Sequence, residues 1–124
     1  MDYVATKHAP KAIGPYSQAV KSGGILYTSG QISLDPATGA LVEGDFDAQA
    51  RRVFENLKAV LAEAGSSYSR VLRATVYLTD LANFQALNAM YAEYFGDHKP
   101  ARTTVQVSAL PKGSLLEIDL IAAL

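Results

Sequence analysis

The stretch from Asp45 to Ala64 constrains this chain more than any other. Ala50, Val53, Phe54, Leu57, Val60, Leu61 and Ala64 recur at helical spacing and form one apolar stripe. Asp45 and Asp47 sit at the positive end of the helix dipole, and Gly65 closes the other end. A helix apolar on one side needs a partner layer, and the rest of the sequence offers strands for it.

Tyr16–Ser22 and Ile25–Gly30 read as two strands joined at Gly23-Gly24, a pair that tolerates the positive φ of a tight hairpin. Asp35-Pro36-Ala37-Thr38-Gly39 reads as a turn. Arg70–Thr79 alternates, with Leu72, Ala74, Val76 and Leu78 on one side and Val71, Arg73, Thr75, Tyr77 and Thr79 on the other. A second helix is expected over Asp80–Phe95, burying Phe84, Leu87, Tyr91 and Phe95. Arg102–Ser108 and Leu115–Ala122 are strands around a Leu110-Pro111-Lys112-Gly113 turn. The expected order is β-β-α-β-α-β-β in one domain over residues 1–124, an α+β sheet with two helices on one face.

Alternation divides the last two strands. Thr103, Val105 and Val107 are expected to meet the helices, as are Leu116, Ile118, Leu120 and Ala122. Arg102, Thr104, Gln106, Glu117 and Asp119 then share the opposite face with Val71, Tyr77, Leu115 and Ile121. Such a face is too apolar for plain solvation and too charged for a closed core, which points to a subunit interface with polar pockets. A solvated face with scattered apolar residues is the alternative.

Composition excludes several chemistries. The 124 residues include no cysteine, which removes disulfides, thiolate metal sites and cysteine nucleophiles. His8 and His98 have no partners at metal-ligand spacing. No phosphate-binding glycine loop, dinucleotide fingerprint or serine elbow is present. The net charge of −1 argues against a nucleic-acid binder. Nothing resembles a signal peptide or a membrane span, so a cytoplasmic location is expected.

What remains is a small polar set. Arg102 opens a strand after Pro100-Ala101 and suits a carboxylate through its planar fork, or an intersubunit ion pair with Glu117 or Asp119. Glu117 can hold a water and move its protons, or serve as a structural ion-pair partner. Tyr16 follows the rigid Gly14-Pro15, and Ser29 lies in the first hairpin. Either hydroxyl can orient a ligand or satisfy the backbone. Asn88, between Leu87 and Tyr91, can likewise bond a loop.

The chain resembles the Rid (YjgF-type) family along nearly its whole length. The matching residues are Ala12-Ile13-Gly14-Pro15-Tyr16-Ser17-Gln18-Ala19, Thr28-Ser29-Gly30-Gln31-Ile32, Asn56-Leu57 and Val76-Tyr77-Leu78-Thr79-Asp80-Leu81. Asn88, Tyr91, Phe95, Pro100-Ala101-Arg102-Thr103-Thr104-Val105, Leu110-Pro111-Lys112-Gly113 and Glu117 complete the set. The resemblance implies a chorismate-mutase-like fold and a homotrimer with pockets at its subunit interfaces. It also implies cofactor-free hydrolysis of 2-imino acids, such as 2-iminobutanoate and 2-iminopropanoate, to 2-keto acids and ammonia. Such imines are released by pyridoxal-phosphate enzymes, the implied functional partners.

By motif, Arg102 would bind the carboxylate and Glu117 would activate water. Tyr16 and Ser29 would orient the ligand, and Gly30, Asn88 and the Thr104 backbone would complete the pocket. Many members carry cysteine where this chain has Thr104, so thiol chemistry is not expected here. A non-catalytic carboxylate-binding module, an endoribonuclease or translation inhibitor, and a holdase-like protein are the competing readings.

Overall fold

A computed structural model describes residues 1–124. Six strands form one sheet: β1 (Asp2–Val4), β2 (Ala19–Ser22), β3 (Ile25–Thr28), β4 (Val71–Leu78), β5 (Ala101–Gln106) and β6 (Leu116–Ala123). Helices α1 (Phe46–Ala64) and α2 (Phe84–Phe95) complete the regular structure. The spatial order is β1-β2-β3-β6-β4-β5, antiparallel throughout except for the parallel β4–β5 pair.

Local signals act where the sequence places them. Asp45 caps α1, its carboxylate accepting the Ala48 N–H at 3.0 Å. Gly65 ends the helix at φ 82°, and the Ser66 N–H reaches back to the Leu61 carbonyl at 2.8 Å. Gly23 and Gly24 both take positive φ in the β2–β3 turn. The α1 stripe is buried as expected, with Phe54 fully enclosed and its ring stacked on Tyr94 at 4.9 Å. A side chain of that size contributes roughly 1.5–3 kcal/mol by leaving water.

Four expectations need correction. An extra N-terminal strand, β1, pairs with β2, and β2 starts at Ala19, leaving Tyr16 in the preceding loop. The second helix starts at Phe84 after a short 3-10 turn over Leu81–Asn83. Its buried residues are Leu87, Met90 and Phe95, while Phe84 is 39% exposed. In β4 a bulge between Val71 and Arg73 inverts the first turn of alternation, so Val71 is buried and Leu72 is exposed.

The fourth correction matters most. β5 and β6 do not form a hairpin: β6 inserts between β3 and β4, and β5 pairs with the far side of β4. Register pairs Ala74 with Arg102, Val76 with Thr104 and Leu78 with Gln106. Paired residues share a face, and Ala74, Val76 and Leu78 are buried in the core that the helices cover. Arg102, Thr104 and Gln106 therefore lie on the helix side, and Thr103 and Val105 on the open side. The open face carries Tyr27, Thr75, Tyr77, Glu117, Asp119 and Ile121 alongside them.

Candidate functional site

The expected site residues fall into two groups on opposite faces of the sheet. Tyr16, Ser29, Gly30 and Glu117 line one cleft of 570 Å³, with Ile13, Ile32, Lys11 and Lys112 among its other walls. Arg102, Asn88 and Thr104 are not part of it; they belong to the seam between α2 and β5.

In the cleft, Glu117 projects from β6 toward the loop after β3. A Cβ built on Gly30 would stand 2.2 Å from Glu117 Oε2, so only glycine lets the carboxylate occupy this position. Burial, and then the charge of Asp119, push the Glu117 carboxyl above the usual range. Asp119 is raised as well by burial, an effect offset in part by hydrogen bonds from Tyr77 and Thr75 and by the charge of Arg73. The Ser29 hydroxyl donates to the Ser17 carbonyl at 2.6 Å, so toward the cleft it offers acceptor lone pairs. Tyr16 is 53% exposed, and its hydroxyl forms no bond within the chain.

The loop behind the cleft is tied down by two buried amides: Asn56, which the motif match included without a role, and Gln49, which it did not include. Asn56, fully buried in α1, donates to the Leu34 carbonyl at 2.9 Å and accepts from Arg52 Nε at 3.0 Å. Gln49 receives the Ser33 hydroxyl and the Leu115 N–H, both at 2.9 Å. Gln49 and Asn56 lie on the buried side of an amphipathic helix, a polar-within-apolar signal that the sequence does display.

In the seam, the Arg102 guanidinium carbon lies 4.8 Å from the Tyr91 ring centroid and 5.5 Å from that of Phe84. Arg102 makes no ion pair; the chain's one salt bridge joins Arg51 to Glu93 at 2.8 Å. Glu117 and Asp119 project from the other face, so an ion pair of Arg102 with either one would have to join two subunits. Beside Arg102, three buried polar atoms lack any hydrogen-bond partner: Asn88 Oδ1, Tyr91 Oη and Thr104 Oγ1. Buried polar groups are almost always paired, so unpaired atoms gathered around an uncompensated cation mark a half-built receptor. Chemically, one group can grip a carboxylate and the other can hold a water and take its proton.

Neither histidine joins either group. His98 Nε2 bonds the Val71 carbonyl at 2.6 Å, and His8 is exposed. No helix is long and apolar enough to cross a membrane.

A mixed sheet backed by two helices, with a carboxylate cleft on one face and an arginine seam on the other, defines an α+β fold of the chorismate-mutase-like type. The model of the Endoribonuclease L-PSP family matches residues 6–124. The chain belongs to this family, the Rid or YjgF-type proteins that its motifs resemble. A RutC family protein from Pyrococcus horikoshii is 53% identical over 98% of this chain and 96% of its own length. Reactive Intermediate Deaminase A of Arabidopsis thaliana is 42% identical over 99% of this chain and 66% of its own. The crystal structure of E. coli TdcF with bound serine superposes with a TM-score of 0.94 at 42% identity, covering 100% of this chain and 99% of that one.

Proposed function

We propose that this protein hydrolyses 2-imino acids, 2-iminobutanoate and 2-iminopropanoate among them, to 2-keto acids and ammonia. The sites form between subunits of a homotrimer. The observation that carries the reading is Arg102, a cation with no counter-ion beside three unpaired buried polar atoms. A carboxylate-bearing ligand satisfies it through two parallel hydrogen bonds. The deaminase name of one relative and the amino acid bound to TdcF support this choice.

Arg102 and Glu117 cannot meet across their own sheet. A neighbouring subunit that covers the open face brings its Arg102 seam against the Glu117 cleft and completes both. In that site Arg102, with Asn88 and Thr104, holds the carboxylate end. Glu117 orients a water, with Tyr16, Ser29 and the open backbone at Gly30 shaping the space around it. The water oxygen bonds to the C=N carbon as Glu117 takes its proton. Glu117 passes that proton to the imine nitrogen, giving an amino-alcohol. The hydroxyl proton then moves to the same nitrogen, the C–N bond breaks, ammonia leaves with both of the water's protons and the C=O bond forms. Positioned proton transfer supplies roughly 10²–10⁴-fold, and no cofactor is needed. The natural suppliers of substrate are the pyridoxal-phosphate enzymes that release such imines.

The family description favours a second reading, RNA cleavage. The site does not supply a histidine pair for acid–base cleavage of RNA: His98 is engaged with backbone and His8 is exposed away from the cleft. A binding module without turnover is the remaining rival.

The test generates 2-iminobutanoate with a threonine dehydratase, traps it with semicarbazide and follows suppression of the semicarbazone. Wild-type protein is expected to suppress the signal, and trimeric Arg102→Ala is not. Saturable 2-oxobutanoate binding without suppression would make the protein a binding module.

A further inference from the structure

Arg102 raises a physical question that its own chemistry does not answer. A long, flexible cation with no carboxylate partner should be mobile, and a mobile receptor spends binding energy on ordering itself. The answer lies on α2. Phe84 and Tyr91 are seven residues apart, two helical turns, and so share a face. The guanidinium rests against both rings, at 5.5 and 4.8 Å.

Tyr91 is itself fixed by the core. Its ring stacks on Phe95 at 4.2 Å and meets Phe54 edge-on at 6.2 Å. Phe95 and Phe54 are both buried. A rigid line of contacts thus runs from the centre of the molecule through Tyr91 to the charged head. Phe84, by contrast, is 39% exposed on a helix whose core side is filled by Leu87, Met90 and Phe95. An exposed phenylalanine gains little there from the core. Its contact with Arg102 accounts for its place.

We propose that Phe84 and Tyr91 are positioning residues: an aromatic seat that takes the place of a counter-ion and holds the Arg102 fork open for a carboxylate. Ring faces attract the cation without occupying its N–H donors. A salt-bridge partner would fix the side chain equally well but would compete with the ligand for the same fork. The seat resolves that conflict, and all five donors remain available.

The proposal rests on the carboxylate-binding reading of Arg102, and the experiment separates the two. The first measurement is the Arg102 Nε–Hε resonance, assigned by its loss in Arg102→Ala. Ring currents should displace it from the ordinary arginine position in wild type. It should return toward that position in Tyr91→Leu and in Phe84→Leu. A wild-type resonance at the ordinary position overturns the seat, whether or not the protein turns over an imine.

The second measurement is 2-oxobutanoate affinity and 2-iminobutanoate turnover in folded trimers. Tyr91→Phe keeps the ring and should keep the Arg102 resonance displaced, whatever the loss of the hydroxyl does to affinity. Tyr91→Leu and Phe84→Leu should weaken affinity and raise KM by about three- to thirtyfold, with kcat little changed. Phe84→Leu, at an exposed position, covers the case in which Tyr91→Leu fails to fold. Unchanged KM in Phe84→Leu with an unchanged Arg102 resonance overturns the proposal. Wild-type protein with a displaced resonance but no affinity for 2-oxobutanoate and no turnover leaves the seat standing and overturns the proposed function.

Discussion

Arg102 and Glu117 stand on opposite faces of the same sheet: Arg102 pairs with the buried Ala74 on the helix side, and Glu117 pairs with Tyr77 on the open side. No rotamer change brings them together through the packed layer between them. If both act on one ligand, they come from different subunits.

Intersubunit complementation tests that directly. Arg102→Ala and Glu117→Gln should each be inactive alone. In randomly mixed trimers, each interface draws an intact arginine face from half of the subunits and an intact glutamate face from half. About a quarter of the sites should then be wild type, and activity should return to that level. Mixed trimers that stay inactive would mean that the two residues do not share a site.

Glu117 should show opposite effects on activity and stability. Burial and Asp119 raise its folded pKa above the unfolded value. Between those two values the folded chain holds more protons than the unfolded one, so stability falls as pH rises through that window. Glu117→Gln should therefore raise Tm at neutral pH, with the gain vanishing below the ordinary carboxylate pKa. A base must be ionised, so imine hydrolysis should decline on the acid side at a pH above the usual carboxylate range. Thermal melts and a pH–rate profile check both. A profile with no acid limb, or an acid limb that persists unchanged in Glu117→Gln, would remove Glu117 as the base.

Gly30→Ala should separate geometry from folding. Gly30 is exposed and its φ is not in the left-handed region, so alanine strains no backbone. The three atoms nearest the added methyl all belong to the Glu117 side chain, with Oε2 at 2.2 Å and Cδ at 2.8 Å. That carboxylate must swing aside. Stability should change little, while a displacement of an ångström or more lowers turnover by roughly 10²-fold. Melting curves and steady-state kinetics on the same preparation decide it.

Asn56→Ala should destabilise the fold from behind the cleft. It leaves the Leu34 carbonyl without its donor, at a cost of about 1–3 kcal/mol. Hydrogen exchange should quicken across residues 31–34, of which Gln31, Ile32 and Leu34 line the cleft. Arg52→Ala removes only the partner on the other side of the amide and should cost much less. Urea titrations of the two variants give the comparison.

Much of the architecture was legible because it is local. The α1 stripe, its Asp45 and Gly65 caps and the Gly23-Gly24 turn follow from periodicity and backbone preference within a few residues. The Val71–Arg73 bulge was not legible, because one extra residue leaves composition unchanged while reversing which side chains point inward. The position of β5 was legible only in part. A strand, a helix and a second strand imply a parallel crossover, and that signal was available between Leu78 and Ala101. The short turn at Leu110–Gly113 points to a hairpin instead, and a hairpin reverses the face of β5 while leaving that of β6 correct.

The sequence by itself determined which residues could carry the chemistry, since Arg102, Glu117, Tyr16 and Ser29 are fixed by residue type and motif. It also placed Arg102 and Glu117 on strands, whereas Tyr16 and Ser29 lie in loops beside the strands expected to carry them. Only the tertiary structure decided that these residues divide between two faces, that Arg102 has aromatic neighbours rather than a counter-ion, and that Gly30 makes room for Glu117. Side-chain face depends on strand register and on which strand lies alongside. Those are contacts between residues far apart in the chain, and no local pattern encodes them.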